Sequence, residues 1–99
     1  MMQFSEETKT RIAELCKKNN VRELSLFGSR VRGDNTESSD FDILVDFKPD
    51  SGMSLFEFSR MQIDLEGVLG KKVDLVPKSG LKALIRDRVL SEAEQIYAD

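Results

Sequence analysis

Apolar residues recur at helical spacing in three segments of the chain. Residues 5–19 predict a helix with Ser5 as its N-cap. Ser54 begins a sequence with the form of a capping box, and the apolar spacing that follows predicts a helix ending at Gly70. The same periodicity over residues 81–94 predicts a last helix.

Three other segments alternate apolar and polar residues with the period of two that is typical of strands. They cover residues 22–27, 40–47 and 72–76. Residues 95–97 are either the frayed end of the last helix or a short edge strand. Helices and strands therefore alternate along the chain, which predicts one α/β domain over residues 1–99, with a small mixed β-sheet of three to four strands flanked by helices.

The composition is that of a soluble globular domain, with 39% hydrophobic and 33% charged residues. No apolar run approaches the roughly 20 residues of a membrane helix, and residues 1–5 lack the pattern of a signal peptide, so we expect a cytoplasmic protein. The net charge of −3 argues against a broad nucleic-acid-binding face. The chain has no histidine, which excludes His-based metal sites and Ser-His-Asp triads. Its one cysteine, Cys16, predicts a buried side chain.

Aspartate is disfavoured in strands, yet three aspartates interrupt the predicted strands. Asp40 and Asp42 stand two residues apart, which places both carboxylates on one face of the second strand. Asp74 lies in the third strand and completes a cluster of three if the two strands are neighbours. Like charges at this distance repel unless a cation lies between them, and oxygen-only ligands favour Mg²⁺ or Mn²⁺. With no histidine available, Asp74 is also a candidate base for an attacking hydroxyl.

Gly28 and Ser29 follow the first predicted strand and have the character of a phosphate-binding turn. Glycine lets the backbone approach an anion closely, while turn N–H groups and the Ser29 hydroxyl are donors. Residues 30–32 predict a short turn or helix from which Arg30 and Arg32 could reach the same anion. Solvated loop charges are the alternative for both arginines. The chain has no GxxxxGK[ST] motif, so the turn is not a Walker P-loop.

Gly28-Ser29, ten intervening residues and Asp40-x-Asp42, with Asp74 further on, together resemble the signature of the DNA polymerase β-like nucleotidyltransferase superfamily. The resemblance is to its minimal nucleotidyltransferase (MNT) branch and covers nearly the whole chain. It is carried by residues 28–33, 39–45 and 69–76.

This resemblance implies a role for each signature residue. Gly28 and Ser29 would bind the nucleotide phosphates, and Asp40 and Asp42 would bind metal. Asp74 would complete the metal site and assist the nucleophile. The resemblance also implies ATP as substrate and two Mg²⁺ ions, with Mn²⁺ as the alternative.

The resemblance further implies a partner. MNT proteins of this size often act as antitoxins that transfer AMP from ATP onto a tyrosine of a HEPN-domain RNase toxin, in a hetero-oligomer. The predicted elements all belong to the core, which favours an acceptor presented by a partner. Two alternatives stay open: a non-catalytic antitoxin that acts by binding alone, and adenylyl transfer to a small molecule.

Two surfaces have competing interpretations. The basic residues of the last helix predict a solvated face, with a docking surface for an acidic partner or nucleotide as the alternative: Lys82, Arg86 and Arg88. The first turn of the preceding helix predicts core residues at Leu55, Phe56 and Phe58. Phe56 falls off the main apolar stripe, which makes it a candidate for a protein interface.

Overall fold

The computed structural model describes residues 4–99. Residues 1–3, which are part of the segment used to argue against a signal peptide, lie outside the described residues. The helices are α1 (Glu6–Lys18), α2 (Ser29–Arg32), α3 (Leu55–Leu69) and α4 (Ala83–Glu92), with a 3-10 turn at Lys78–Gly80. The strands are β1 (Val21–Phe27), β2 (Phe41–Phe47), β3 (Val73–Pro77) and β4 (Glu94–Ala98). Within residues 4–99, no helix has both the length and the apolarity to cross a bilayer.

The ends of α1 and α3 lie where their capping residues predict. The Ser5 side chain accepts a hydrogen bond from the Thr8 N–H at the start of α1. Ser54 and Glu57 form both hydrogen bonds of a capping box at the start of α3. Gly70 ends α3 in the left-handed conformation, with φ of 71°. Local sequence is therefore sufficient to fix these boundaries.

The four strands form one mixed sheet in the order β3-β2-β1-β4. β1 pairs antiparallel with β2 and β4, whereas β2 and β3 are parallel. The predicted fold class is confirmed. Residues 95–97 belong to an edge strand rather than to a frayed helix.

The core lies on one side of this sheet. β1 and β2 alternate, and their inward residues Leu24, Leu26, Ile43 and Val45 are at most 1% exposed. Helices α1 and α3 pack against each other and contribute Ile12, Cys16, Met61 and Leu65 to the same cluster. The buried Cys16 confirms its prediction. Since Asp42 alternates with Ile43, and Asp74 with Leu75, both aspartates lie on the opposite face of the sheet.

The last helix is shorter than predicted at both ends. α4 ends at Glu92, because Ala93 is extended and Glu94 pairs with Leu26 of β1. From Glu94 onward the backbone N–H and C=O groups pair with β1, so the helix does not continue. Of its apolar side chains Val89 is buried, while Leu84 is 97% exposed. The basic residues are exposed, as a solvated face predicts: Lys82 at the N-cap of α4, and Arg86 and Arg88 within it.

The core prediction for the first turn of α3 was also wrong for two of its three residues. Leu55 and Phe56 are 83% and 90% exposed, and Phe58 is partly buried. The buried stripe runs through Phe58, Met61 and Leu65, at the spacing of one helix face. Phe56 faces away from it because each residue turns the helix by about 100°.

Candidate active site

The two central acids of the site lie side by side on neighbouring strands. Asp42 of β2 and Asp74 of β3 are direct partners in the parallel register. Adjacent strands are about 4.8 Å apart, so the two carboxylates leave the sheet close together on the same face. Asp42 is half-buried and Asp74 is exposed. The pairing meets the condition on which the sequence analysis made Asp74 a member of the cluster.

Asp40 precedes β2 at the end of a loop that two basic side chains hold in place. The guanidinium of Arg30 donates to the Ser39 carbonyl at 2.6 and 3.2 Å and lies 4.3 Å from the centre of the Phe41 ring. Lys71 donates to the Glu37 carbonyl at 2.7 Å. Two interpretations of Arg30 were left open, a phosphate contact and a loop charge; in the structure its guanidinium hydrogen-bonds the loop that carries Asp40.

The electrostatics of Asp42 reflect the gathering of acids around it. Burial raises the pKa of Asp42, and the neighbouring carboxylates of Asp74 and Asp40 raise it further. Each of these effects disfavours the ionised form. A cation among these oxygens would favour ionisation, so the donor set fits a hard metal ion such as Mg²⁺. Within residues 4–99, however, no three acidic or cysteine side chains are arranged to enclose an ion, so ligation requires side-chain rotation.

Gly28 lies directly against Asp42. A Cβ atom at position 28 would be 3.0 Å from Asp42 Cγ and 3.2 Å from Asp42 Cβ. Gly28 also has φ of 81° and ψ of −155°, a region that is essentially restricted to glycine. Both features require glycine, and together they bring the turn before α2 next to the carboxylates.

The donors at this turn are bound to an acid from the other end of the chain. The Gly28 N–H donates to Glu92 Oε2 at 2.7 Å, and Arg32 Nη1 donates to the same oxygen at 3.1 Å. Arg32 also bonds Asp34 at 3.4 Å. The Glu92 side chain is 17% exposed, and its charge contributes to raising the pKa of Asp42. Glu92 therefore binds the donors of the Gly28 turn and lies near enough to Asp42 to act on its pKa.

The sequence matches the model of a known protein family. The model of the nucleotidyltransferase domain matches residues 9–96, nearly the whole described chain. The chain belongs to the nucleotidyltransferase domain family. The predicted resemblance is thereby confirmed, and the chain is an enzyme of the nucleotidyltransferase class.

Individual relatives of this nucleotidyltransferase extend over most of its length. The protein adenylyltransferase MntA of Thermococcus cleftensis is 49% identical over 79 residues, which cover 80% of this chain and 78% of that one. A putative protein adenylyltransferase of Methanocaldococcus jannaschii is 40% identical over 90 residues, 91% of this chain and 95% of its own. A solved complex of a tri-AMPylated Shewanella oneidensis HEPN toxin with MNT antitoxin contains a chain of the same fold. Its TM-score is 0.68 at 20% identity, with 95% of this chain and 72% of that one covered.

The candidate active site lies on an open face of the sheet rather than in a deep cavity. One cavity of about 720 Å³ lies between α1 and α3, and its lining includes Arg11, Leu15 and Ile63 but none of the site residues. We assign the chemistry to the open face, because the acids and the Gly28 turn converge there.

The sequence analysis did not identify Glu92 as part of this site. One signal was present in the sequence: an acid in the last turn of a helix faces the negative end of the helix dipole, where a cation is the favourable choice. Its position beside Gly28 depends on packing between elements 64 residues apart, which no local pattern encodes.

Proposed function

We propose that this nucleotidyltransferase transfers AMP from ATP to a hydroxyl group of a partner protein, a tyrosine of a HEPN-type toxin, and acts in the cytoplasm as the antitoxin of that pair. A relative 49% identical is named protein adenylyltransferase MntA, and one 40% identical is named as a putative protein adenylyltransferase, which supports a protein acceptor. The complex of an AMPylated HEPN toxin with an antitoxin of this fold supports the choice of partner.

One observation carries the proposal: Asp42 and Asp74 are paired across parallel strands, next to a glycine turn with an inward N–H. Paired carboxylates on a sheet face are suited to a metal-bound triphosphate, and the turn offers donors for its phosphate oxygens. Gly28, Ser29 and Arg32 are the nucleotide-binding residues in this proposal. Arg30 contributes by holding the Asp40 loop.

Mg²⁺ is the cofactor that the donor set fits, with Asp40, Asp42 and Asp74 as its ligands. When bound, it would supply positive charge to the triphosphate and lower the pKa of the acceptor hydroxyl. Its ligands would all provide oxygen, and burial together with the charges of Asp74 and Asp40 raises the pKa of Asp42.

The transfer itself is a single displacement at the α-phosphorus of ATP. The acceptor oxygen forms the new O–P bond, the bond from the α-phosphorus to the bridging oxygen breaks, and pyrophosphate leaves. The hydroxyl proton passes to a carboxylate, for which Asp74 is the candidate because it is exposed toward an incoming acceptor. The half-buried Asp42 is better placed to hold the nucleotide side of the site.

The test is the mass of a HEPN-domain partner from the same organism after incubation with this protein, ATP and Mg²⁺. We expect one or more AMP additions, located on tyrosine by fragmentation. Asp42→Asn and Asp74→Asn should lose the addition by at least about a hundredfold in rate, in line with the loss of one metal ligand or base. Asp46→Asn is the matched control, since it lies on β2 four residues from Asp42 and on the same face.

Absence of any mass shift with the wild-type protein would contradict the proposed transfer. If the Asp42→Asn variant still neutralised the partner in cells, the antitoxin would act by binding alone. A shift on an added small molecule instead of the partner would identify the small-molecule alternative.

A further inference from the structure

We propose that Glu92 is a built-in competitor for the phosphate-binding donors of the site, and that nucleotide can bind there only after the Glu92 carboxylate has left. The contact of Glu92 with Gly28 and Arg32 is called the Glu92 latch below. This inference rests on the proposed function for the identity of the ligand, but the latch itself is a feature of the described structure.

Glu92 binds the same donors that the nucleotide phosphates would use. Glu92 Oε2 accepts from the Gly28 N–H at 2.7 Å and from Arg32 at 3.1 Å, and Oε1 lies 3.4 Å from Arg32. A backbone N–H and a guanidinium that share one carboxylate form a charge-assisted anion site. The same two groups are the phosphate donors of the proposed function, and neither can serve both anions at full strength.

The position of the Glu92 carboxylate is electrostatically unfavourable without the two donors. Its carboxylate is largely buried, and its charge adds to the repulsion that raises the pKa of Asp42. It also lies in the last turn of α4, where the helix dipole disfavours an acid. A further acid among three aspartates is unfavourable unless the two donors compensate for it, so the latch depends on those donors.

Helix α4 is weakly packed against the rest of the protein. Val89 is its one buried residue, whereas Leu84, Ile85 and Leu90 are 97%, 46% and 37% exposed. No side chain caps its N-terminus. An element with few buried apolar contacts opens at low free-energy cost, so fraying of α4 and rotation of the Glu92 side chain can move its carboxylate away from Gly28 while β4 stays paired with β1.

The latch predicts how nucleotide affinity responds to mutation. The apparent affinity equals the intrinsic affinity multiplied by the fraction of molecules in which the donors are open. Charge-assisted hydrogen bonds are among the strongest in proteins. Removing the acid should therefore tighten nucleotide binding by about tenfold or more.

The experiment measures binding to the full chain by calorimetry, with Mg²⁺ and α,β-methylene ATP, whose α–β bridge cannot be cleaved. Glu92→Gln and Glu92→Ala should bind about tenfold more tightly than wild type. Asp87→Asn is the matched control, because it removes one negative charge from an exposed position of the same helix. Its affinity should stay within about twofold of wild type, since exposed charges are screened by solvent.

A second measurement tests the latch without nucleotide. Hydrogen exchange of the Gly28 amide should accelerate in Glu92→Ala and stay unchanged in Asp87→Asn. Equal or weaker nucleotide binding by both Glu92 variants would overturn the proposal, as would unchanged exchange at Gly28. If neither wild type nor any variant bound the analogue, the proposed function would fail and the competition with it, whereas equal binding by all would remove only the latch.

Discussion

Replacement of Gly28 by alanine should destabilise the protein far more than the same change at another left-handed glycine. Gly28 and Gly33 flank α2 and have nearly equal φ values of 81° and 86°. Their surroundings differ: a Cβ atom at Gly33 would meet nothing within 4 Å, whereas one at Gly28 would press against Cβ, Cγ and Oδ2 of Asp42. The two positions also differ in ψ, which is −155° at Gly28 and 9° at Gly33.

The magnitudes follow from these two differences. At Gly33, alanine would occupy the ordinary left-handed region, at about 1–2 kcal/mol. At Gly28, the combination of φ and ψ belongs to a region that costs about 1–3 kcal/mol for other residues. Overpacking against Asp42 adds about 1–3 kcal/mol, and rotation of Asp42 cannot relieve it fully because Asp42 Cβ itself would be 3.2 Å away. We expect about 2–6 kcal/mol for Gly28→Ala.

Urea unfolding followed by circular dichroism measures both variants, together with Asp42→Ala and the double variant Gly28→Ala/Asp42→Ala. In the Asp42→Ala background most of the steric part disappears, so Gly28→Ala should cost at least about 1 kcal/mol less there than in wild type. Equal unfolding midpoints for Gly28→Ala and Gly33→Ala, or no coupling to Asp42, would refute the close packing on which the site geometry depends.

Two further predictions concern the core. Burial raises the pKa of Cys16 from 9.0 to about 12, so above pH 9 the unfolded chain loses a proton that the folded protein keeps. The free energy of unfolding should therefore fall by about 2 kcal/mol between pH 8 and pH 10.5 because of this thiol. Identical pH slopes of stability in wild type and Cys16→Ala would contradict this. Met61→Ala should cost about 2–5 kcal/mol in urea unfolding, because Met61 is fully buried. The control Phe56→Ala, at a 90% exposed position, should change stability by less than about 0.5 kcal/mol, and a similar loss in both would contradict the assigned faces of α3.

Local patterns predicted the elements of this fold because the forces that set them are local. The capping box at Ser54 and the alternation of β2 each depend on residues within one turn or one strand. The spacing of Asp40 and Asp42 indicated a shared chemistry for the same reason. Asp74 could be added only conditionally, because the register that pairs it with Asp42 is a contact between distant segments.

The predictions that failed concern which apolar side chains are covered. Leu55 and Phe56 have core-like chemistry, but burial requires a neighbouring element, and the sequence does not say which helix faces receive one. Glu92 was missed for the related reason that its partners lie near the start of the chain. Sequence patterns predict the shape of an element better than its neighbours.

Gly28 serves two parts of the site through two different properties. Its missing side chain allows Asp42 to approach the turn, and its N–H faces the Glu92 carboxylate. A nucleotide that binds at this turn therefore replaces the Glu92 carboxylate at the Gly28 N–H. Its net binding free energy is the difference between the free energies of these two contacts. This makes nucleotide affinity sensitive to the position of α4, the helix with the fewest buried side chains among those longer than one turn. Any contact that draws α4 away from the sheet should open the donors, and any contact that holds it in place should keep them closed.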